Sequence, residues 1–362
     1  MNLTVNTVLM KELTSKALKG ASFNKLLPIT SLMCISCVAG KLTLRTTDGS
    51  NYLYINQSLE NEDFYAVVKA DVFGKLIAKL TCDTVNITKE DNGFLTIVGN
   101  GKYLVELAMD DGNEVAFPDP IKDIAYESAE ATVSSQDILS IRNIAKPALA
   151  VTMENPCYTG YYCDDKRVIA TDSFMICGLQ TALFDSPKLV SPVTMDLIDL
   201  ITADTIRVFV PQNSNELIMF AEDCVVYGHF MEGIEDYAVD AISQLLETPL
   251  PKKCAVSKSE LLAILDRLAL FVDVYDNNGI YITFGAEGLQ ISSKKSSGVE
   301  TVNYIKAPED VQECTYLIDV TMLQTQVKAY DGDAVEIEFG AGQAIKFVSS
   351  TSVQLVALLE DN

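Results

Sequence analysis

The chain has 362 residues, and this length predicts two or three domains rather than one. Hydrophobic residues make up 48% of the sequence, so each domain can bury a core, while 50 acidic against 27 basic residues give a net charge of −23. A charge this negative argues against a protein that binds nucleic acid through a broad basic surface.

The sequence also disfavours the membrane and secreted classes. No run of eighteen apolar residues is present, and the N-terminus lacks a basic stretch followed by an apolar one. Nine scattered cysteines, an odd number, fit a reducing compartment better than a disulfide scaffold. We therefore expect a cytoplasmic protein with no membrane partner.

The first third of the chain predicts five elements in a fixed order. A helical pattern comes first, and an antiparallel hairpin with an Asx-Gly turn follows it. A second helix comes next, then an Asp-led turn that enters a strand, and a last hairpin closes the segment. These elements cover residues 7–19, 40–55, 71–80, 83–87 and 94–107.

The same order returns twice along the chain. In the second segment, the first helix, hairpin, Asp-led strand and last hairpin cover residues 135–146, 167–179, 204–208 and 216–230. In the third segment, they cover residues 258–269, 288–304, 333–337 and 344–359, with a second helix again expected before the Asp-led strand. Self-similarity at the length of a domain indicates three tandem repeats. Chance similarity among ordinary α+β patterns is the alternative.

Proline pairs mark the joints between the repeats. Phe117-Pro118-Asp119-Pro120 follows the first segment and Thr248-Pro249-Leu250-Pro251 follows the second, as expected of short extended linkers. We therefore predict an α+β fold with domains at residues 1–120, 121–249 and 250–362. Each domain should pack two helices on antiparallel sheet.

The sequence offers no assembled catalytic or metal site. The one histidine, His229, lies in a strand pattern and is predicted to be a packed strand residue, although a ligand role remains open. Cys34 and Cys37 have metal spacing, but in a strand they point to opposite faces and are predicted to be buried. Residues 99–102 form a hairpin turn rather than a phosphate loop. The acidic pairs at residues 110–111 and 164–165 are predicted to be solvated turns, so we expect no catalytic residue, no metal, no cofactor and no enzyme activity.

Basic residues recur on the predicted helices at spacings of three or four. For any single one, a solvated helix face is the simpler interpretation. As a set on equivalent helices they could form one electropositive surface inside an acidic body. They are Lys11, Lys16, Lys19, Lys75, Lys79, Arg142 and Lys146, with Arg267 and Lys328 as weaker candidates.

Local motifs in this order resemble one family, the bacterial DNA polymerase sliding clamp or beta subunit. Leu27-Pro28-Ile29-Thr30 is similar to the family's Leu-Pro-Ile-Leu element, and Ala170-Thr171-Asp172 is similar to the start of its Ala-Thr-Asp-Gly-His-Arg-Leu signature. Residues 232–237 resemble its Glu-Gly-x-Phe-Pro-Asp-Tyr element, and Phe117-Pro118 matches its first linker. The resemblance covers the whole chain.

The departures from the family fall together. Residues 173–176 read Ser-Phe-Met-Ile in place of Gly-His-Arg-Leu, and residues 355–362 replace the usual ending near Met-Pro-Met-Arg-Leu. Asn24 stands where a basic residue often precedes the Leu-Pro element. Residue 174 and the C-terminus belong, by resemblance, to the pocket that binds partner peptides, so the resemblance implies a divergent member with its own polymerase partner.

The resemblance implies a ring-shaped homodimer of six domains that encircles duplex DNA without sequence preference, with helices lining the hole. DNA polymerase and clamp loader would bind it through short peptide motifs. The implied pocket is lined by Tyr158, Thr171, Phe174, Met175, Ile176, Val239, Leu355 and Ala357. Two alternatives stay open: these residues simply fill a domain interface, or the chain is a β-rich assembly protein without a DNA function.

Overall fold

The structure is a computed structural model, and it describes residues 1–212, 214–295, 297–309 and 312–360. Short helices alternate with antiparallel strands along the whole chain, so the predicted α+β class is confirmed. The strands are β1 (Asn2–Asn6), β2 (Leu32–Val38), β3 (Lys41–Thr47), β4 (Tyr52–Ser58), β5 (Phe64–Lys69), β6 (Thr84–Lys89), β7 (Phe94–Val98), β8 (Lys102–Glu106), β9 (Met109–Asp110), β10 (Asn113–Glu114), β11 (Thr132–Ser134), β12 (Tyr161–Cys163), β13 (Val168–Thr171), β14 (Met175–Leu179), β15 (Lys188–Val190), β16 (Thr205–Phe209), β17 (Glu216–Phe220), β18 (Cys224–His229), β19 (Lys252–Ser257), β20 (Gly279–Phe284), β21 (Leu289–Ser293), β22 (Val299–Val302), β23 (Tyr304–Lys306), β24 (Cys314–Asp319), β25 (Ala334–Phe339), β26 (Ala344–Val348) and β27 (Ser352–Ala357).

The α-helices are short. They are α1 (Thr7–Ala17), α2 (Ala70–Lys79), α3 (Ser135–Ser140), α4 (Pro192–Ile198), α5 (Val239–Glu247), α6 (Lys258–Leu268) and α7 (Val320–Ala329). None of the helices in the described ranges is long and apolar enough to cross a membrane.

The Asp-led strand is the clearest structural mark of the repeat. In each repeat, the strand that precedes the first helix pairs antiparallel with the Asp-led strand: β1 with β6, β11 with β16 and β19 with β25. The first helical N–H then donates to the carbonyl of the leading aspartate: Thr7 to Asp83 at 3.0 Å, Ser135 to Asp204 at 3.0 Å and Lys258 to Asp333 at 2.8 Å. This bond satisfies one of the donors that a helix start leaves open, which gives the repeated Asp-led turn a physical purpose.

The chain forms two compact units. Unit 1 comprises Met1–Ile138 and Val193–Phe230, and unit 2 comprises Leu139–Pro192 and Met231–Asn362. Unit 1 contains a four-stranded sheet in the order β1-β6-β7-β8 and an eight-stranded sheet in the order β11-β16-β17-β18-β4-β3-β2-β5. Unit 2 contains a nine-stranded sheet in the order β15-β12-β13-β14-β27-β26-β25-β19-β23 and a four-stranded sheet in the order β22-β21-β20-β24.

Continuous hydrogen bonding divides the strands of the middle repeat between the units. Within unit 1, β18 pairs with β4, which joins the last hairpin of the middle repeat to the first repeat. Within unit 2, β14 pairs with β27, which joins the first hairpin of the middle repeat to the third. The predicted boundaries near residues 120 and 249 therefore stay a proposal about repeats, since compactness alone groups the chain differently.

Two helix pairs, α1–α2 in unit 1 and α6–α7 in unit 2, pack their apolar faces on the sheets of their own unit. In unit 2, Leu261, Leu265 and Leu268 are buried, as their spacing predicts, and the rings of Phe284 and Phe339 stack beneath them with centroids 3.7 Å apart. In unit 1, the 3₁₀ turn that follows α1 (Leu18–Gly20) approaches α2 closely at Gly74, where an added Cβ would lie 2.5 Å from Leu18 Cδ1.

Two predictions about helices differ from the structure. The helix expected over residues 135–146 ends as an α-helix at Ser140, continues as a π-helical turn (Ile141–Ala145) and finishes as a 3₁₀ turn (Lys146–Ala148). Pro147 lacks an N–H and disfavours a continuous ladder, which accounts for the irregular end. Helix α5 was missed, because the sequence analysis assigned no element to the residues between the motif at 232–237 and the Thr248-Pro249 joint.

The residues considered for chemistry have ordinary surroundings. Cys34 and Cys37 are fully buried in β2, as predicted. His229 ends β18 but is exposed rather than packed, with Nδ1 3.2 Å from the Ser50 carbonyl oxygen and its ring against Tyr227. Asp164 accepts the N–H groups of Lys166 and Arg167 at 2.8 Å, as a turn residue does. No group of three potential metal ligands occurs among the described residues.

Candidate functional sites

The helix pair of unit 1 carries a basic surface. Lys11 and Lys16 lie on α1, Lys19 lies on the 3₁₀ turn that extends it, and Lys75 and Lys79 lie on α2. All five side chains are exposed or half-buried, opposite a buried face that includes Leu13 and Phe73. Because α1 and α2 pack against each other, the five predicted lysines lie on neighbouring helices of one pair.

Carboxylates one helical turn away neutralise part of this surface. Lys16 Nζ is 3.1 Å from Glu12 Oε1, and Lys75 Nζ is 3.2 Å from Asp71 Oδ2. Such i,i+4 pairs are weak and leave the cation accessible. Lys11, Lys19 and Lys79 make no ion pair with any residue that the structure describes, so the surface keeps a positive excess.

The predicted cations of the middle repeat lie on irregular backbone. Arg142 is in the π-helical turn and Lys146 begins the 3₁₀ turn, and both side chains are half-buried. They do not continue an α-helical face. Both residues belong to unit 2, whereas the five lysines belong to unit 1.

The helix pair of unit 2 matches its predicted cations with acids. Arg267 Nε donates to Glu300 Oε1 at 2.8 Å and its Nη2 contacts the other oxygen, which is a bidentate pair. These hydrogen bonds lower the pKa of Glu300. Lys328 Nζ is 3.7 Å from Asp266 Oδ1, which also accepts from Gln324 at 2.8 Å. Each of the two weaker candidates therefore has a carboxylate partner, and Arg267 is held more firmly than Lys328.

The predicted pocket residues form a connected region of unit 2. Ile176 pairs with Leu355 across β14 and β27, and the Ala357 N–H donates to the Phe174 carbonyl at 2.8 Å. Met175 pairs with Val356, whose side chain packs in the other core cluster, so Met175 points to the opposite face of the sheet from Ile176. Tyr158 and Val239, which lie outside these two strands, pack against the apolar cluster that contains Ile176 and Leu355.

The turn before β14 orients the exposed end of this region. Thr171 Oγ1 donates to the Met175 carbonyl at 2.8 Å, and Asp172 Oδ1 accepts the N–H groups of Phe174 and Met175 at 2.8 and 2.6 Å. Burial raises the pKa of the Asp172 carboxyl, and these N–H groups oppose that effect. Phe174 is 58% exposed, whereas Met175 is 8% exposed, so only one of the two divergent side chains is freely offered to a partner.

Helix α5 contributes residues that the sequence analysis did not include. Ile242 and Leu246 are buried in the same cluster as Ile176 and Leu355. The signal was present in the sequence, because Val239, Ile242 and Leu246 follow a helical spacing of three and four. A cavity of about 420 Å³ opens beside Leu246, and none of the eight predicted pocket residues lines it.

A second, larger cleft lies in unit 1. It has a volume of about 630 Å³ and lies between strands β2–β4 and the segment that follows Pro118. Arg45 Nη1 is 2.6 Å from Asp119 Oδ2, and Tyr54 donates to Asp119 Oδ1 at 2.9 Å. Burial, followed by the charge of Asp119, raises the pKa of Tyr54. These contacts fasten the segment to the sheet.

Neither a known family model nor a curated protein matches this sequence. Solved structures do match it over its full length. The beta subunit of DNA polymerase from Streptococcus pyogenes is 15% identical with a TM-score of 0.86, covering 100% of both chains. The DNA polymerase sliding clamp from Bacillus subtilis is 16% identical with a TM-score of 0.84, and the DNA polymerase III beta subunit from Thermotoga maritima is 15% identical with a TM-score of 0.80, each again covering 100% of both chains. From its first repeat to its last, this chain has the fold of the bacterial DNA polymerase sliding clamps.

Proposed function

We propose that this protein is a DNA sliding clamp, a non-enzymatic ring-shaped homodimer that encircles duplex DNA and tethers a replicative polymerase in the cytoplasm. The observation that carries the proposal is the match to DNA polymerase beta subunits over the entire chain. The proposal retains three domains, at residues 1–120, 121–249 and 250–362. A fold alone does not fix a function, so features of this chain must support it as well.

The charge distribution supports encirclement rather than tight binding. The chain carries −23 overall, yet the α1–α2 surface keeps lysines without acidic partners. A closed ring stays on DNA by topology, so it needs few phosphate contacts, and few contacts allow sliding. An acidic exterior would repel DNA from the wrong face. The net charge that argues against a basic DNA-binding surface is compatible with this mechanism.

Two open sheet edges support a head-to-tail dimer. In unit 1, β8 is a terminal strand and Leu104 on it is 59% exposed. In unit 2, β22 is a terminal strand with Val299 exposed, and the neighbouring Leu270 and Phe271 are 80% and 50% exposed. Exposed edges with apolar side chains favour strand pairing with another chain. Pairing β8 of one copy with β22 of another would cover both edges, and doing so twice would close a ring.

The region around β14 and β27 is the proposed docking site for peptides from the polymerase and the clamp loader. Phe174 and Met175 stand where the family has histidine and arginine, so the site should depend on apolar contacts more than on charged anchors. Changing the exposed Phe174 to Glu should abolish binding of the polymerase peptide while the dimer stays intact. Unchanged binding with an intact dimer would place the docking site elsewhere.

The test of clamp function compares circular with linear DNA. The protein should sediment as a dimer, at twice 39.6 kDa, and electron microscopy should show a central hole. Dimer trapped on nicked circular DNA should survive gel filtration at a salt concentration that screens surface charge, and should be lost when the circle is cut. If the protein is instead a β-rich assembly protein without a DNA function, the second candidate, its retention should be the same on circular and linear DNA.

A further inference from the structure

Helix α5 covers the proposed peptide-docking region of unit 2 with its own apolar side chains. Ile242 and Leu246, four residues apart, lie on one face of the helix and are 6% and 8% exposed. They pack in one cluster with Ile176 of β14 and Leu355 of β27. Leu245, which precedes Leu246 and lies outside this buried face of the helix, is 47% exposed. The helix is therefore bound by one face only.

The strand beneath α5 is shaped for Leu246. Gly178 lies two residues after Ile176 on the same face of β14, and a Cβ added there would be 2.7 Å from Leu246 Cδ1. No side chain fits at this position while Leu246 keeps its place. The missing side chain makes the space that the leucine fills.

Polar groups hold the C-terminal end of α5. The buried Lys346 Nζ donates to the Leu246 carbonyl at 3.2 Å and also to the Thr248 carbonyl, which are groups that a helix end leaves without partners. Arg167 Nη1 is 2.9 Å from Glu247 Oε1. Leu246 and Glu247 also line the 420 Å³ cavity, so polar contacts hold this end where apolar packing is incomplete.

We propose that α5 is an internal ligand of the docking region, and that a partner peptide binds by displacing it. This inference rests on the proposed function. The partner that fits is a short amphipathic segment of the same chemistry: two apolar anchors four residues apart, followed directly by an acidic residue that reaches Arg167. Because only the fraction of molecules with α5 displaced can bind, the apparent affinity for such a peptide is lowered by that fraction.

The probe is a labelled synthetic peptide of residues 238–248, taken from this chain and added to the full-length dimer. The opened variant carries Ile242→Ser and Leu246→Ser, and the matched control carries Leu245→Ser on the exposed face of the same helix. We expect the opened variant to bind the peptide at least about tenfold more tightly than the unmodified protein and the control. Equal binding by all three would overturn the proposal, because α5 would then not compete with the peptide.

A second variant tests the same inference without changing α5. Gly178→Val places a side chain where Leu246 lies, so it should loosen the helix and raise amide hydrogen exchange over residues 239–247 several-fold.

The control for the opened variant is its fold: amide hydrogen exchange in β13 and β27 must equal that of the unmodified protein. If its fold is retained and it still fails to bind the peptide, the region does not recognise this chemistry and the proposal fails. If the opened variant does not retain its fold, unchanged exchange over residues 239–247 in Gly178→Val overturns the proposal. Neither measurement uses DNA, so loss of clamp function in the circular-DNA test would leave these results unaffected.

Discussion

The α1–α2 pair of unit 1 and the α6–α7 pair of unit 2 share an architecture but not a charge pattern. The first helix has 11 residues in both pairs and the second has 10. A polar side chain caps the first helix each time, Asn6 for α1 and Ser257 for α6. Only two of the five lysines on the α1–α2 pair have a carboxylate partner among the described residues. On the α6–α7 pair, Arg267 and Lys328 each have one.

This difference shows that the repeat preserves packing and leaves surface electrostatics free to change. The apolar spacing and the caps determine where each helix forms, and both recur. A cation held by a neighbouring acid displaces fewer counterions from DNA than a free one. Under the proposed function, the first repeat should therefore supply most of the contact with DNA phosphates.

The largest expected effect tests the shared part of the comparison. Leu13 on α1 and Leu265 on α6 are both buried, at 5% and 0% exposure. Changing either to Ala should cost about 2–5 kcal/mol of unfolding free energy, because a cavity forms in each core. Denaturant unfolding with a probe in each unit measures this. If only one of the two variants lowers the unfolding free energy, the two helix pairs do not support the fold in the same way.

The second largest effect should come from removing the lysines of the α1–α2 pair that lack an acidic partner among the described residues. Replacing Lys11, Lys19 and Lys79 with Gln should reduce the salt dependence of binding to a short duplex by about 3 in log–log slope, if each contacts one phosphate. The matched variant, Arg267→Gln with Lys328→Gln, should change the slope much less. Binding titrations over a range of salt concentrations distinguish the two. Equal slopes in both variants would contradict the assignment of the DNA surface to the first repeat.

A gain of binding should follow from removing the acids of unit 2. Glu300→Gln and Asp266→Asn leave Arg267 and Lys328 without carboxylate partners, so the α6–α7 surface should bind the same duplex more tightly, by about twofold to fivefold at low salt. The unfolding free energy should change by less than about 1 kcal/mol, because exposed ion pairs contribute little. If binding does not rise, these two cations face away from the DNA.

The elements that depend on local pattern could be predicted from the sequence. The Asp-led strands, the hairpins and the stripe of Leu261, Leu265 and Leu268 were found because capping, turn chemistry and periodicity act over a few residues. The division of the middle repeat could not be found this way, since β18–β4 and β14–β27 pairing joins strands far apart in the chain. The pairing of Arg267 with Glu300 was missed for the same reason. Helix α5 was missed although its periodicity was visible.

Two equivalent turns provide the smallest and sharpest comparison between the units. In unit 1, Thr47 Oγ1 accepts the Gly49 N–H at 3.0 Å, and Asp48 Oδ1 accepts the N–H groups two and three residues on. In unit 2, Thr171 Oγ1 accepts the Ser173 N–H at 3.1 Å, and Asp172 makes the same two bonds. The third residue has positive φ in both turns, +102° at Gly49 and +82° at Ser173.

Two single substitutions, Ser173→Gly and Gly49→Ser, should change the unfolding free energy in opposite directions. A Cβ is strained at positive φ, so Ser173→Gly should raise the unfolding free energy by up to about 1 kcal/mol, reduced by the extra freedom of glycine in the unfolded chain. Gly49→Ser should lower it by a similar or larger amount, because the new Cβ would also lie 3.2 Å from Leu27 Cδ1. Thermal unfolding of both variants measures the difference. If Ser173→Gly destabilises the protein, the serine side chain contributes a contact that outweighs the backbone strain, and the replacement of glycine in this turn was a gain for unit 2.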